Sequence, residues 1–140
     1  MRITYTASID GCVPLSFQEA FEISPAGAAK PLLPGASTGL TGAGVPFDGS
    51  FYVQGNTQTL PGSTIIVFRG CVNAAAAGPA RLWLAQCRSG RAPSKRIAVT
   101  ASANGAEIRR FQGTGRPLPA KGTDVAMEEL VLAVEGWSVR

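Results

Sequence analysis

The chain has 140 residues, 45% of them hydrophobic and 16% charged, with a net charge of +4. That length suits one domain, and the apolar content is too high for a disordered chain. The sequence contains no histidine, which removes Ser-His-Asp and Cys-His catalytic arrangements and mixed Cys/His zinc sites.

In chain order, Ile3, Tyr5 and Ala7 alternate with Arg2, Thr4, Thr6 and Ser8, the pattern of a half-buried strand. The opening MRITYTASIDG lacks the apolar core of a secretory signal, so a soluble protein is expected. No apolar run approaches the roughly 20 residues of a membrane span, and no membrane association is expected. Residues 12–23 alternate at Val13, Leu15 and Phe17. They are read as a strand with a short helical turn as the alternative, Pro14 marking an edge or bulge.

Residues 24–46 hold five glycines and four prolines, which exclude a long helix or a central strand. A loop this long in a compact domain tends to be functional. Its scattered Leu32, Leu33, Leu40 and Val45 give it the character of an arm lying over the domain or over a neighbouring subunit.

From Phe47 the β signal strengthens. DGSFYVQG is read as a strand and TLPG as a turn with Pro before Gly. Ile65, Ile66, Val67 and Phe68 run without alternation, as in a strand that is covered on both faces or that meets a partner on one of them. AAAAGPA is read as a loop and RLWLAQC as a further strand. Asn104-Gly105 separates two β-like runs, a hairpin signal because both central positions of a type I′ turn take positive φ. A two-residue loop places Ile108 with Ile97, Val99 and Ala101 and puts Phe111 on the other face. Either a bulge near Arg109-Arg110 returns Phe111 to the apolar side or a second face is covered. Near the C-terminus a strand over 129–135 is favoured over a helix through Val125–Glu135.

The count is about eight short strands, which gives an all-β fold, a jelly-roll β-sandwich in one domain spanning 1–140. Trp83 and Trp137 sit in apolar contexts and are assigned to the core.

Chemistry-bearing candidates are few. An antiparallel pairing of the segments around Cys71 and Cys87 sets the two cysteines opposite one another. Two readings stay open, a cross-strand disulfide and free thiols acting as small buried hydrophobes. Two thiolates are too few for a zinc site, no calcium loop is visible, and Glu128-Glu129 point opposite ways on a strand. Catalytic residues, metals and cofactors are therefore not expected. Residues 69–121 carry ten basic residues against one acid, Glu107, while the rest of the chain is net acidic. This gives a candidate basic docking region at Arg91, Lys95, Arg96, Arg109, Arg110 and Arg116. Basic residues interleave with an aromatic only at Arg109-Arg110-Phe111, so nucleic acid is not the expected partner.

The order FYVQG, IIVF, ARLWLA, RIAVTAS with RRFQGTGRPLPA, and LVLAVEGW resembles the strand rhythm of carbohydrate-binding jelly rolls over residues 47–137. This implies the fold and, as an alternative function, carbohydrate binding. The whole chain also resembles small jelly-roll cement or decoration proteins of tailed-phage capsids. The resemblance rests on its size, its low charge, its lack of histidine and the Gly/Pro/Ala-rich segment 24–46. It implies a non-enzymatic virion protein on the outer capsid surface, assembled in the host cytoplasm. Such a protein acts as a homodimer or homotrimer that bridges major capsid protein subunits.

Overall fold

The computed structural model describes residues 3–24, 28–33, 64–88, 93–118 and 129–139. Among the described residues seven strands occur in chain order: β1 Ile3–Ile9, β2 Leu15–Ile23, β3 Ala29–Pro31, β4 Thr64–Cys71, β5 Lys95–Ala103, β6 Ala106–Leu118 and β7 Glu129–Val139. A 3-10 turn, Ala74–Ala76, and the helix α1, Gly78–Arg88, lie between β4 and β5.

The all-β expectation holds in its broad form, but the strands form one sheet rather than the two of a jelly-roll sandwich. Their order is β1-β5-β6-β7-β4-β2-β3, and β1 also pairs with β2. Every pairing is antiparallel, so six strands close into a barrel and β3 hangs on β2. The length of β2 permits this. Its start, Leu15–Phe17, pairs with β1, and its end, Phe21–Ile23, pairs with β3. Closure gives the six barrel strands partners on both sides and removes the exposed edges that an open sheet would carry.

Alternation sorts the side chains. Tyr5 and Ala7, Val99 and Ala101, Ile66 and Phe68, and Leu130 and Leu132 face one buried cluster inside the barrel. Phe17 and Phe68 meet there with ring centroids 5.1 Å apart. Ile65 and Val67 point the other way, into a second buried cluster with Phe21, Ile23, Leu118 and Val131. The unbroken apolar run 65–68 is therefore covered on both faces, as expected.

RLWLAQC is helical, not extended. Ala77, Ala80, Trp83 and Leu84 recur at helical spacing and are all buried in the interior cluster, while Leu82 on the other side of the helix is exposed. Pro79 falls in the first turn, where its missing N–H costs nothing. The Trp83 indole Nε1 donates to the Pro93 carbonyl at 2.8 Å, which ties the helix to the segment entering β5. The helix also rules out the cross-strand facing of Cys71 and Cys87. Cys71 pairs with Phe17 of β2, and both Cys71 and Cys12 are free thiols. The Cys71 thiol donates to Asn73 Oδ1 at 3.6 Å.

The β5–β6 hairpin turns at Asn104 and Gly105 with φ of 51° and 85°, the positive values that a type I′ turn needs. Ser102 pairs with Glu107, but Ala101 pairs with Arg109. Ile108 is the extra residue of a bulge one position before the one anticipated. It is turned half out to solvent, and Phe111 is buried opposite Val99. A second bulge separates the Gln112–Ser138 and Thr114–Glu135 pairs of β6 and β7, with Gly136 at φ 63°. The stacked Phe111 and Trp137 rings, 5.5 Å apart, sit beside it.

The two glycines of β6 are needed for close approach to β7. A Cβ at Gly115 would lie 2.5 Å from the Ala133 carbonyl oxygen, and one at Gly113 would lie 2.4 Å from a Val134 methyl. Gly115→Ala is therefore expected to cost about 1–3 kcal/mol by overpacking, read as a lower urea midpoint. Gly105→Ala, with open space around the new methyl, pays only for the positive φ, about 1–2 kcal/mol. A Gly115→Ala variant as stable as the parent would contradict the close β6–β7 contact.

The strand expected at 129–135 is present and runs on to Val139. The DGSFYVQG strand and the TLPG turn lie outside the described residues, as do residues 34–46 of the segment read as an arm.

Candidate functional site

The arm anchors divide. Leu32 and Leu33 follow β3 and are 5% and 7% exposed within the chain's own interior cluster, so they offer no apolar surface to a partner. The Leu32 amide continues the β2 edge by donating to the Ala20 carbonyl at 3.0 Å. Leu40, Val45 and Arg91 lie outside the described residues.

The remaining basic candidates do not form one patch. Lys95 and Arg96 begin β5, opposite Gly115 and Thr114, with Arg116 next along β6. Arg109 and Arg110 lie toward the hairpin tip. From Arg116 to Arg110 is six strand residues, or about 20 Å. Arg110 is also engaged locally: its Nε and Nη2 donate to Glu107 Oε1 at 3.2 and 2.7 Å. Arg109 shares the inward-facing row of Tyr5 and Ala101.

A different arrangement comes from the register. The outer faces of β1, β5, β6 and β7 carry short polar side chains in cross-strand rows. One row is Ser16, Thr6, Thr100 and Arg110, in which Thr6 Oγ1 and Ser16 Oγ are 3.2 Å apart. The next is Ser8, Ala98, Gln112 and Ser138. Beyond it, Arg96, Thr114 and Glu135 pair across β5, β6 and β7, and the Asp10 amide donates to the Arg96 carbonyl at 3.1 Å.

These last two rows, Ser138 excepted, line a groove of about 540 Å³ together with Asp10. Ile9, Ile97 and Gly113 alternate inward, so they give it a floor of backbone, and Ala98 adds only a methyl. The taller walls are Arg96, Gln112 and Glu135, and the β6–β7 bulge at Gly136 forms one end. Bulges commonly re-aim side chains beside functional sites. Among the described residues Arg96 makes no ion pair with Asp10 or Glu135, and the side chains of Ser8, Gln112 and Thr114 make no hydrogen bond. Among the described residues, these polar side chains of the groove are thus not engaged with one another. Nothing in the sequence announced this site, because its residues come from four strands and none belongs to a motif.

A third polar feature is buried. Glu19, Arg69 and Glu129 sit side by side on β2, β4 and β7. Arg69 Nη1 is 3.7 Å from Glu19 Oε1, and its Nε is 3.7 Å from Glu129 Oε2. Glu19 is fully buried. Tyr5 lies near it, and its phenol is held above its ordinary pKa. Burial is the main cause and the Glu19 charge adds to it, against a backbone hydrogen bond from Leu33. Burial likewise pushes the Cys12 thiol up, partly offset by the Lys95 ammonium. Among the described residues no group of three or more Cys, Asp and Glu side chains is placed to hold a metal ion, and no helix is long and apolar enough to cross a membrane.

No protein-family model, curated protein or solved structure matches this chain.

Proposed function

We propose that this chain is a non-enzymatic structural protein that binds and bridges major capsid protein subunits on the outside of a viral shell. The observation that carries the reading is the outer face of β1, β5 and β6. Its rows of Thr4 with Ser102 and Thr6 with Thr100 present hydroxyls, flanked on β6 by Glu107 and Arg110 opposite Ser102 and Thr100, with Arg96 further along β5. A barrel closed on itself holds such a face rigid, so binding need not order it first. Short hydroxyl side chains also lose little rotamer entropy when covered. Arg96, which is exposed at the start of β5, supplies charge complementarity toward an acidic subunit surface. Contacts to two subunits at once add through effective concentration, so each can be weak.

Co-sedimentation with shells assembled from the major capsid protein tests this. Thr100→Lys places a long cation in the middle of the hydroxyl face and is expected to lower shell occupancy at least tenfold while leaving the circular dichroism spectrum unchanged. Undiminished occupancy by the folded variant, or no sedimentation of the parent chain, would refute the reading.

A further inference from the structure

We infer that the groove across β1, β5, β6 and β7 is a binding site for a neutral, hydroxyl-rich small ligand such as a sugar unit. Its volume of about 540 Å³ falls within the roughly 300–1,000 Å³ of small-molecule sites. Most such sites are largely apolar with a few polar groups, whereas the walls here are polar. A ligand must therefore engage many hydrogen-bonding groups at once to repay their desolvation.

The charges narrow the class. Asp10 and Glu135 bring two negative charges and Arg96 one positive charge to the lining. A phosphate or carboxylate ligand meets two like charges, and an ammonium or guanidinium ligand meets Arg96. A neutral ligand avoids both penalties.

The hydrogen-bonding inventory then selects hydroxyls. Each hydroxyl both donates and accepts. The carboxylates of Asp10 and Glu135 accept a hydrogen bond from its O–H, Arg96 donates to its oxygen, and Gln112, Ser8 and Thr114 do either. These side chains spend none of that capacity on one another. The flat backbone floor at Ile97 and Gly113, with only the Ala98 methyl above it, gives the apolar C–H face of a sugar ring a place to lie. The site is open to solvent and has no aromatic wall among its lining residues, so millimolar affinity is expected, about −4 kcal/mol.

The test is amide-resolved NMR titration of the full chain with methyl α-glucoside, methyl α-mannoside and methyl β-galactoside, each to 100 mM, alongside inorganic phosphate and arginine. Saturable shifts with at least one glycoside, centred on Ser8, Ala98, Gln112, Thr114 and Gly136, are expected. Gln112→Ala should weaken binding at least fivefold, and Ala98→Leu, which fills the floor, should abolish it. The dispersion of the remaining amides reports whether each variant is folded. No shift with any glycoside overturns the inference. So does a groove that responds to phosphate or arginine instead, or glycoside binding that survives both substitutions. Thr100, the position altered in the shell-binding experiment, is not among the groove's lining residues, so either reading can fail without the other.

Discussion

Trp83→Ala is expected to destabilise the protein by about 3–5 kcal/mol, the range for deleting a large aromatic from a packed core. Trp83 is 1% exposed. It is the largest side chain that α1 contributes to the barrel interior, beside Ala77, Ala80 and Leu84. No small residue can fill its volume without moving the helix. Since domains are stable by only about 5–15 kcal/mol, the loss is a large part of the whole. Trp83→Phe separates volume from polarity. It keeps most of the ring but leaves the Pro93 carbonyl without its 2.8 Å donor, a smaller cost of about 1–3 kcal/mol. Urea unfolding followed by circular dichroism should rank the parent first, then Trp83→Phe, then Trp83→Ala. An alanine variant with an unchanged midpoint would mean that α1 does not plug the barrel.

The second large effect is at Arg69. Its guanidinium stands between the fully buried Glu19 and the mostly buried Glu129. Removing one partner from a buried ion pair costs about 3–5 kcal/mol, because the remaining charge stays in a poorly solvating environment. Arg69→Met leaves two carboxylates facing each other across β4 and should fall in that range. Glu19→Leu should cost less, since it replaces a buried charge by an apolar side chain of similar size and leaves Arg69 with Glu129. The asymmetry is the informative quantity. If Glu19→Leu proves the more damaging in urea unfolding, the cross-strand cluster is not held together through Arg69.

Much of the β structure could be read from local pattern. β1 shows its alternation at Ile3, Tyr5 and Ala7, and the turn at Asn104-Gly105 follows from two residues that tolerate positive φ. The run Ile65–Phe68 called for cover on both faces, from the chain itself or on one side from a partner, and the structure supplies an apolar cluster of the chain's own on each. Even the hairpin bulge was legible, because a regular register would have left Phe111 outside. The extrusion of Ile108 is the cheaper solution, since an aromatic ring buries more area than an isoleucine side chain.

The helix was not legible in the same way. Leu82, Trp83 and Leu84 are consecutive apolar residues, and a run so short satisfies a period of two as well as one of 3.6. Only the joint burial of Ala80, Trp83 and Leu84 in the interior cluster decided for the helix. For a related reason the sequence left Leu32 and Leu33 open between the domain and a neighbouring subunit, and the structure lays them on the domain: a Gly/Pro-rich context says that a segment is irregular, not whether its leucines face the chain's own core.

By itself, then, the sequence determined that this chain is predominantly β, that β1, β2, β4, β5 and β7 are strands, and how its tight turn bends, since these depend on residues a few positions apart. The tertiary structure alone decided that the sheet closes through β1 and β2, that Glu19 and Glu129 share Arg69, and that Ser8, Ala98, Gln112 and Thr114 meet in one groove. The physical reason is separation along the chain. Each of these juxtapositions joins strands far apart in sequence, and strand pairing is set by the mutual burial of whole faces rather than by any local preference.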